Sequence, residues 1–210
     1  MKNNTVFVLL AGGKSKRMGV DKGLLKYHQT FWILEQLNNI SKTPVSEVYI
    51  GLGYNYKNYF NAIPWFEDAL TNFIDFQELK IKVIINKNPE LGSFSTLQTI
   101  LKKIDTSKNI ILNHIDVPLL NSEEFQKIME IKNIVVIPNY EGKNGHPIKM
   151  KSKFWKQLIH LNPSNEEARL DFQIMKLQSI EITTISVNDA AVIKNLNTTS
   201  DWISFLKNTN

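Results

Sequence analysis

Two glycines and four cationic side chains follow directly after the first apolar run of the chain. That run, TVFVLL (Thr5 to Leu10), leads into AGGKSKRMGVDKG, a loop that contains Lys14, Lys16, Arg17 and Lys22. Glycines let a backbone approach a ligand closely, and long lysine and arginine side chains reach phosphate oxygens. Because the loop lies at the end of a strand-like segment, it is more typical of a phosphate-binding site than of a solvated basic loop.

The two best-known phosphate loops do not fit this spacing. A Walker A loop needs a further glycine upstream of its Gly-Lys-Ser, at the position that Val8 occupies inside the apolar run. A dinucleotide loop of the form G-x-G-x-x-G also fails, because Gly12 and Gly13 are adjacent and the next glycine is Gly19. The loop therefore serves phosphate chemistry of a different type.

One carboxylate stands at the end of another apolar run. In NIILNHIDVP the residues Asn109 to Leu112 resemble a strand, and Asp116 follows in a turn that ends at Pro118. A carboxylate at such a place can hold Mg²⁺, which neutralises nucleotide phosphates and steadies an attack on the α-phosphate. A turn aspartate without a ligand is the alternative, and the glycine loop elsewhere in the chain favours the metal ligand.

Composition excludes several other kinds of chemistry. The chain of 210 residues contains no cysteine, which excludes disulfides, thiolate metal sites and a cysteine nucleophile, and its four histidines show no zinc-ligand spacing. The 25 Lys and Arg residues against 20 Asp and Glu residues are scattered, so we expect no nucleic-acid partner. No apolar stretch suits a bilayer and no signal-peptide pattern is present, so we expect a cytoplasmic protein without a membrane partner.

Apolar runs typical of buried strands alternate with helical patterns along the chain. This alternation predicts a single α/β domain over residues 1–210, Rossmann-like, with a mostly parallel central sheet and helices on both faces. Since ligands of such sheets bind beyond the carboxyl ends of the strands, residues 11–23, the loop after Asn86 and residues 114–118 should line one rim. The predicted strands are 5–10, 47–53, 80–85, 109–116, 133–138 and 179–187, and the predicted helices include 31–40, 94–104 and one from Ser122 as N-cap.

Residues 54–77 interrupt the alternation. The segment YNYKNYFNAIPWFEDALTNFIDFQ carries eight aromatic residues, more than a simple connection needs. It is either a helical excursion that packs on the sheet or part of a surface for a substrate or a second subunit. Both interpretations stay open at the level of the sequence.

The stretch LAGGKSKRMGVDKGLL, Leu10 to Leu25, resembles the opening signature of the molybdenum cofactor nucleotidyltransferases, especially the guanylyltransferase (MobA-like) branch of the NTP-transferase fold. That signature runs L-A-G-G, then a basic segment with R-M-G, then D-K-G-L. The resemblance implies the nucleotide-diphospho-sugar transferase type of α/β fold. It also implies catalytic roles for Arg17, Lys22 and Asp116, with Asp116 on Mg²⁺, and nucleotide-binding roles for Leu10, Ala11, Gly12, Gly13, Lys14, Arg17 and Lys22.

Three further segments resemble motifs of the family. Residues NTTSDW, which begin at Asn197, are similar to the closing N-T-P-E-D-L signature and imply that Asn197 is a second metal ligand, although Thr199 replaces the usual proline. The loop NPELGSFSTL and the turn GHP are similar to the cytidylyltransferase branch instead. The first implies base and ribose contacts by Asn88, Gly92 and Ser95, and the second implies substrate contacts by Gly145, His146 and Pro147; we expect His114 to be a packing or rim residue.

The resemblance implies a Mg²⁺-dependent enzyme that transfers a nucleoside monophosphate from an NTP to a phosphorylated acceptor such as molybdopterin and releases pyrophosphate. The opening signature favours GTP as the NTP, whereas the other two loops favour CTP. A sugar-phosphate or alditol-phosphate nucleotidyltransferase is a further alternative with the same chemistry. A molybdoenzyme or a chaperone is a candidate protein partner. An alternative of another class is a non-catalytic protein that delivers a nucleotide or cofactor.

Overall fold

A mixed β-sheet flanked by helices forms the centre of the protein. The computed structural model describes residues 4–208, and no helix in that range is both long and apolar enough to cross a membrane. The strands are β1 (Thr5–Leu10), β2 (Lys26–Tyr27), β3 (Thr30–Phe31), β4 (Glu47–Leu52), β5 (Ile74–Phe76), β6 (Leu79–Ile85), β7 (Asn109–His114), β8 (Val135–Tyr140), β9 (Lys143–Asn144), β10 (Ile148–Met150) and β11 (Ile182–Ser186). The helices are α1 (Trp32–Ser41), α2 (Tyr56–Ala62), α3 (Trp65–Asp68), α4 (Gly92–Leu101), α5 (Ser122–Glu130), α6 (Ser152–Leu158), α7 (Leu170–Met175) and α8 (Thr199–Lys207).

The main sheet has nine strands in the order β11-β8-β10-β7-β1-β4-β6-β5, with β9 paired to β8, while β2 and β3 form a separate ribbon. Strands β1, β4, β6, β7, β8 and β11 run in one direction, whereas β5, β9 and β10 run in the opposite direction. The structure therefore confirms the predicted α/β fold with a mostly parallel sheet.

Strand β1 is buried along its whole length between β4 and β7. Its side chains alternate between two apolar cores, because successive residues of a strand face opposite sides of the sheet. Phe7 and Leu9 belong to the core that α1 and α5 cover, and Val6 and Val8 belong to the core that α4 and α6 cover. A strand covered on both faces must be apolar at every position, which explains the unbroken run in the sequence.

The predicted elements differ from the structure mainly at their ends. Segment 133–138 becomes β8, shifted toward the carboxyl end, and segment 179–187 begins with a 3₁₀ turn before β11. Helix α5 begins at Ser122, and its N-cap is Asn121 rather than the predicted Ser122. Asn121 Oδ1 accepts a hydrogen bond from the backbone N–H of Glu124 at 3.0 Å. The short antiparallel strand β10 was not predicted, because three residues are too few to produce a recognisable pattern.

Residues 54–77 pack against the rest of the protein as helices α2 and α3 and strand β5. The rings of Tyr59 and Phe66 are buried in the core and stack with centroids 6.4 Å apart, and β5 pairs with β6 at the edge of the sheet. The large aromatic content is thus used in packing. This arrangement agrees with the first interpretation of the segment, a helical excursion on the sheet.

Lys149 ties β10 to the end of α5. Its side chain is buried, and Nζ donates hydrogen bonds to the carbonyl oxygens of Ile128 at 3.3 Å, Ile131 at 2.8 Å and Met129. The last carbonyl groups of a helix have no partners inside the helix, so these donors satisfy groups that burial would otherwise leave unpaired. Because β10 directly follows Pro147, the same contact fixes one end of the turn 145–147.

We expect Lys149→Met to destabilise the protein by about 1–3 kcal/mol, because buried carbonyl groups lose their donors while most of the aliphatic volume is retained. Chemical denaturation measures the change in the free energy of unfolding. The matched control is Lys132→Met, the same exchange at a nearby exposed lysine, which should change stability by less than about 0.5 kcal/mol. Equal effects of the two substitutions would contradict this role of Lys149.

Candidate active site

Loops at the carboxyl ends of β1, β4 and β7 surround a cleft of about 410 Å³. The cleft lies at the rim where ligands of open α/β sheets bind, as expected from the strand order. Its walls also include Lys16 of the basic loop, Ser93 beside Gly92, and His114, which was expected to be a packing or rim residue. Tyr54 lines the cleft as well, and no nucleotide contact was predicted for it. The predicted site residues that line it are Leu10, Ala11, Gly12, Gly13, Lys14, Arg17, Lys22, Gly92, Asp116 and Asn197.

The glycine loop is packed tightly against the end of β4. Tyr54 N donates a hydrogen bond to Gly12 O at 3.2 Å, and a Cβ atom at Gly53 would lie only 2.6 Å from the same oxygen. A Cβ atom at Gly12 would lie 3.1 Å from Gly53 N. Glycine at both positions lets the two backbones touch, and this contact shapes the floor of the cleft.

The basic part of the loop folds back on itself. Ser15 adopts a left-handed conformation with φ 49°, and its Oγ accepts a hydrogen bond from the backbone N–H of Lys22 at 3.2 Å. Lys14 Nζ lies 4.6 Å from the ring centroid of Tyr54, within the range of a cation–π contact. The loop therefore brings Lys14, Lys16, Arg17 and Lys22 into the wall of the cleft.

Lys22 joins the two predicted metal ligands. Its Nζ donates one hydrogen bond to Asp116 Oδ2 and one to Asn197 Oδ1, each at 2.7 Å. The side chains of the Lys22–Asp116 pair are only 14% and 21% exposed, so water screens the pair weakly. Two oxygen atoms from distant parts of the chain thus converge on one positive charge.

The segment around Asn197 is held in place by the start of α8. Thr198 caps the helix through a reciprocal pair of hydrogen bonds with Asp201, and Asp201 Oδ2 also accepts from Asn197 N at 3.0 Å. Leu196 N donates to Asp116 O at 2.8 Å, which ties this segment to the loop after β7. The last helix therefore begins at Thr199, the position of the usual proline in the closing signature, with Thr198 as its cap.

A second cleft of about 910 Å³ adjoins the first. The two clefts share Leu10, Gly92, Ser93 and His114 in their walls. The second has apolar walls that include side chains of β7, β8 and α7, and Arg169 is a cation at its edge. Of the three predicted substrate residues, Gly145 and His146 line this cleft, whereas Pro147 follows them outside the lining.

Two histidines stand at the boundary between the clefts. The rings of His114 and His146 meet edge to face, with centroids 4.7 Å apart, and His146 Nδ1 lies 3.4 Å from Leu112 O. Burial lowers the pKa of His146 to about 4, and the neighbouring His114 adds to this effect. Burial also lowers the pKa of His114, against the attraction of Asp116. Both rings are therefore neutral at pH 7, and His114 lines both clefts in addition to its packing role.

Asn88 and Ser95 do not line the first cleft. The amide of buried Asn86 donates to Ser95 Oγ at 2.8 Å and to Thr96 Oγ1 at 3.0 Å, and Ser95 Oγ donates to Gly92 O at 2.8 Å. Asn88 takes part in the same network through its backbone. Asn88 and Ser95 therefore help to hold the loop that presents Gly92. Their contacts with base and ribose stay a prediction.

Within residues 4–208, no group of three or more His, Asp and Glu side chains is arranged to hold a metal ion. Asp116 and Asn197 are the converging oxygen donors at the cleft. Any metal bound between them must take most of its ligands from a bound molecule or from water. This is the usual situation of Mg²⁺ in sites that bind phosphate substrates.

Comparison with known families gives one match. The model of the MobA-like NTP transferase domain matches residues 7–179, which is most of the chain. A comparison with curated proteins finds no match. The matched segment contains the glycine loop, Lys22 and Asp116, while Asn197 lies beyond it.

Solved structures with the same fold cover almost the whole chain. Rv0371c from Mycobacterium tuberculosis H37Rv is 17% identical, with 99% of each chain covered and a TM-score of 0.75. Its complex with manganese is 15% identical, with 97% of this chain and 98% of that chain covered and a TM-score of 0.68.

The descriptions of two other solved structures with this fold name a nucleotide or a nucleotidyl group. The 4-diphosphocytidyl-2C-methyl-D-erythritol synthase from Anaerococcus prevotii DSM 20548 is 12% identical. The comparison covers 99% of this chain and 96% of that chain, with a TM-score of 0.71. HddC from Yersinia pseudotuberculosis, complexed with GMP-PN, is 14% identical. The comparison covers 98% of this chain and 99% of that chain, with a TM-score of 0.69. At these identities the likeness concerns the fold, and the family match carries the assignment. The chain belongs to the MobA-like NTP transferase domain family and has the fold of a nucleotidyltransferase.

Proposed function

We propose that this protein transfers a guanylyl group from GTP to molybdopterin or a closely related phosphorylated acceptor and releases pyrophosphate. The observation that carries the proposal is the position of Lys22, whose Nζ lies between Asp116 and Asn197 at the edge of a glycine-walled cleft. A nucleotide and an acceptor each have a cleft of suitable size, and the two clefts meet at shared residues.

The first cleft suits a triphosphate. Its glycine backbone allows close approach, and Lys14, Lys16 and Arg17 line it together with Lys22. Charge-assisted hydrogen bonds from these groups favour the triphosphate and the departing pyrophosphate over neutral ligands. Since charge on the leaving group grows during the transfer, cations held in place stabilise the transition state more than the bound substrate.

The oxygen donors of the cleft fit a divalent cation. Asp116 Oδ2 and Asn197 Oδ1 already share one positive charge, and carboxylate and amide oxygens are ligands that Mg²⁺ accepts. When bound there, Mg²⁺ would neutralise phosphate oxygens and stabilise negative charge at the α-phosphate. The manganese complex of Rv0371c supports a divalent ion for this fold. We assign Asp116 and Asn197 as the residues that would hold the ion. Lys22 Nζ, which bonds these two oxygens in the structure, would then leave them and contact the adjacent phosphate.

The second cleft suits the acceptor. Gly145 and His146 contribute to its wall, and the apolar surface around them fits the non-phosphate part of an acceptor. A phosphate acceptor is already ionised at neutral pH, so the reaction needs positioning and charge stabilisation rather than a general base. The low pKa of His146 agrees with this mechanism, because a neutral ring contributes hydrogen bonding and shape without adding charge.

The base and the acceptor each have an alternative. The opening motif favours guanine, and GMP-PN is bound to HddC, whereas the loops at Gly92 and His146 resemble cytidylyltransferases and the Anaerococcus prevotii relative is named for a cytidyl nucleotide. Cytidylyl transfer to the same acceptor is therefore the second candidate, and a sugar-phosphate or alditol-phosphate acceptor is the third. A non-catalytic delivery protein is disfavoured, since simple binding does not require the Lys22–Asp116 pair.

Nucleotide binding is tested by thermal unfolding with each of the four NTPs, with and without Mg²⁺. We expect GTP with Mg²⁺ to raise the Tm most, because GTP is the proposed substrate. A ligand at about 100 times its Kd stabilises the folded state by roughly 2.7 kcal/mol, which is enough to measure as a shift in Tm. A larger shift with CTP would favour the cytidylyl alternative. The absence of any metal-dependent shift would contradict the proposal and favour the non-catalytic class.

Catalysis is tested by pyrophosphate release with GTP, Mg²⁺ and molybdopterin. We expect Asp116→Asn and Lys22→Ala each to lower kcat/KM by about 100-fold or more, because each removes a charge placed at the reacting phosphates.

The chain provides a matched control pair in Lys80 and Asp75. These side chains form a similar ion pair of 2.9 Å but are 60% and 76% exposed and lie at the far edge of the sheet. Asp75→Asn and Lys80→Ala should leave the rate unchanged, because exposed ion pairs contribute little to stability and this pair lies outside the cleft. Full activity of the Asp116 and Lys22 variants would contradict the mechanism. If pyrophosphate is released with sugar phosphates as acceptors but not with molybdopterin, the sugar-phosphate alternative replaces molybdopterin as the proposed acceptor.

The neutral state of His146 has a consequence for acid stability. A histidine in the unfolded chain takes up a proton near pH 6.5, whereas folded His146 stays neutral down to about pH 4. Between these values the unfolded state binds more protons, so the free energy of unfolding decreases as the pH falls through this window. A shift of this size corresponds to at most roughly 3–4 kcal/mol.

We expect His146→Gln to remove this part of the acid sensitivity, measured as the loss of unfolding free energy between pH 7 and pH 4.5. His160→Gln, at an exposed histidine, should retain the loss seen in the unsubstituted protein. If His146→Gln and the unsubstituted protein lose the same free energy, His146 is not held neutral by burial.

A further inference from the structure

The first helix of the aromatic excursion contacts the turn that carries Lys22. Asn55 Nδ2 donates to Asp21 Oδ1 at 3.0 Å, and Asn58 Nδ2 donates to Asp21 Oδ2 at 2.8 Å. The side-chain amides of two asparagines, three residues apart, therefore hold both oxygens of the Asp21 carboxylate. Asp21 directly precedes Lys22 in the chain, so these bonds fix the backbone on one side of the lysine.

A third contact fixes the backbone on the other side. The backbone N–H of Gly23 donates to Tyr59 Oη at 3.3 Å, and Tyr59 is only 1% exposed. The tyrosine ring also packs closely on the glycine, since a Cβ atom at position 23 would lie 2.8 Å from it. Lys22 thus lies between two residues that α2 and its flanking Asn55 hold directly.

The carboxylate of Asp21 is used for this contact and not for an ion pair. Its residue is 5% exposed, and within residues 4–208 no lysine, arginine or histidine forms a salt bridge with it. A buried carboxylate is costly to keep unless its oxygens are satisfied. Removing either amide donor therefore weakens the turn by more than the loss of an exposed hydrogen bond would.

The position of the Lys22 backbone decides where its ammonium group lies. The lysine side chain is a flexible stem with several rotatable bonds, so the group at its end follows the backbone only if the backbone is fixed. Its two acceptors, Asp116 and Asn197, come from loops far away in the sequence. A displacement of about 1 Å in such an arrangement is enough to lower a rate about 100-fold.

We propose that Asn55, Asn58 and Tyr59 are positioning residues of the nucleotidyl transfer, acting through the backbone of residues 21–23 on Lys22. The inference rests on the proposed function for the role of Lys22, but the contacts themselves can be tested without activity. It also gives the excursion at residues 54–77 a task at the active site, in addition to its packing on the sheet.

The first arm of the test measures amide hydrogen exchange by mass spectrometry in a peptide that covers residues 21–25. We expect Asn58→Ala and Tyr59→Phe to speed exchange in this peptide by about five- to tenfold, the equilibrium change that loss of about one hydrogen bond produces. Two substitutions on the same helix are matched controls. Asn61→Ala is at an exposed asparagine, and Tyr56→Phe is at a tyrosine whose ring packs on Phe60. Neither control substitution should change the rate of amide hydrogen exchange in the peptide that covers residues 21–25.

The second arm measures pyrophosphate release. We expect Asn58→Ala and Tyr59→Phe to lower kcat about five- to tenfold with little change in KM, and Asn58→Gln, which keeps an amide donor, to restore part of the rate. In a Lys22→Ala background the same substitutions should have no further effect, because the side chain they position is absent. The Tm of each variant is recorded, so that a general loss of stability is recognised.

The outcomes separate the two proposals. Unchanged exchange in residues 21–25, or equal changes in the controls, would overturn the positioning role. Additive losses of kcat in the Lys22→Ala background would also overturn it, since the residues would then act independently of Lys22. If the unsubstituted protein transfers no nucleotide while the exchange arm gives the expected result, the proposed function fails and the mechanical coupling of α2 to Lys22 stands.

Discussion

The ammonium group of Lys22 is the point at which three distant parts of the chain meet. It bonds Asp116 Oδ2 and Asn197 Oδ1 at 2.7 Å each, in a place where both partners of the ion pair are largely shielded from water. Removing two charges from water costs several kcal/mol per ion, and the attraction between them offsets this cost only when the geometry is held closely. The pairing of β1 with β7, which sets Leu10 opposite His114, brings the loops of Lys22 and Asp116 to the same rim. The remaining structure must keep these loops in register.

An aromatic cluster holds the two oxygen donors relative to each other. Trp32 Nε1 donates to Ile115 O at 2.7 Å, directly before Asp116 in the chain. The ring of Trp202, in the helix that follows Asn197, lies 5.3 Å from the ring of Trp32 and meets it edge to face. One buried tryptophan therefore contacts both the loop of the carboxylate and the helix behind the amide. Because the cluster is closely packed, small shifts in one loop are resisted by the core rather than by the loop itself.

The sequence predicted the site where its signal is local and missed it where the contacts are tertiary. Strand β1 was predicted to the residue, since a strand buried on both faces gives an unbroken apolar run. A role for Lys22 was predicted from the resemblance of its segment to the opening signature of the family. By contrast, the hydroxyl of Ser95 turns to Gly92 and Asn86, which a motif of residue types cannot reveal. The contact of Tyr59 with Gly23 joins residues that no periodicity relates, because it depends on where a helix packs. Strand β10 was missed for a third reason. Its three residues are too few to show a pattern, and its antiparallel direction is set by the neighbouring strands β7 and β8.

The two clefts differ in charge, and the difference bears on where transfer takes place. Lys14, Lys16 and Arg17 line the first cleft, whereas Arg169 of the second bonds Asp171 at 2.8 Å and is partly neutralised by it. Positive charge therefore increases from the second cleft toward the first. Under the proposed function, this gradient would draw the anionic phosphate of the acceptor to the boundary, while the apolar walls of the second cleft would pack against the faces of its ring system. The neutral ring of His146 at that boundary adds no charge of its own. Under the proposed function, the distribution of charge would therefore orient the acceptor phosphate toward the α-phosphate.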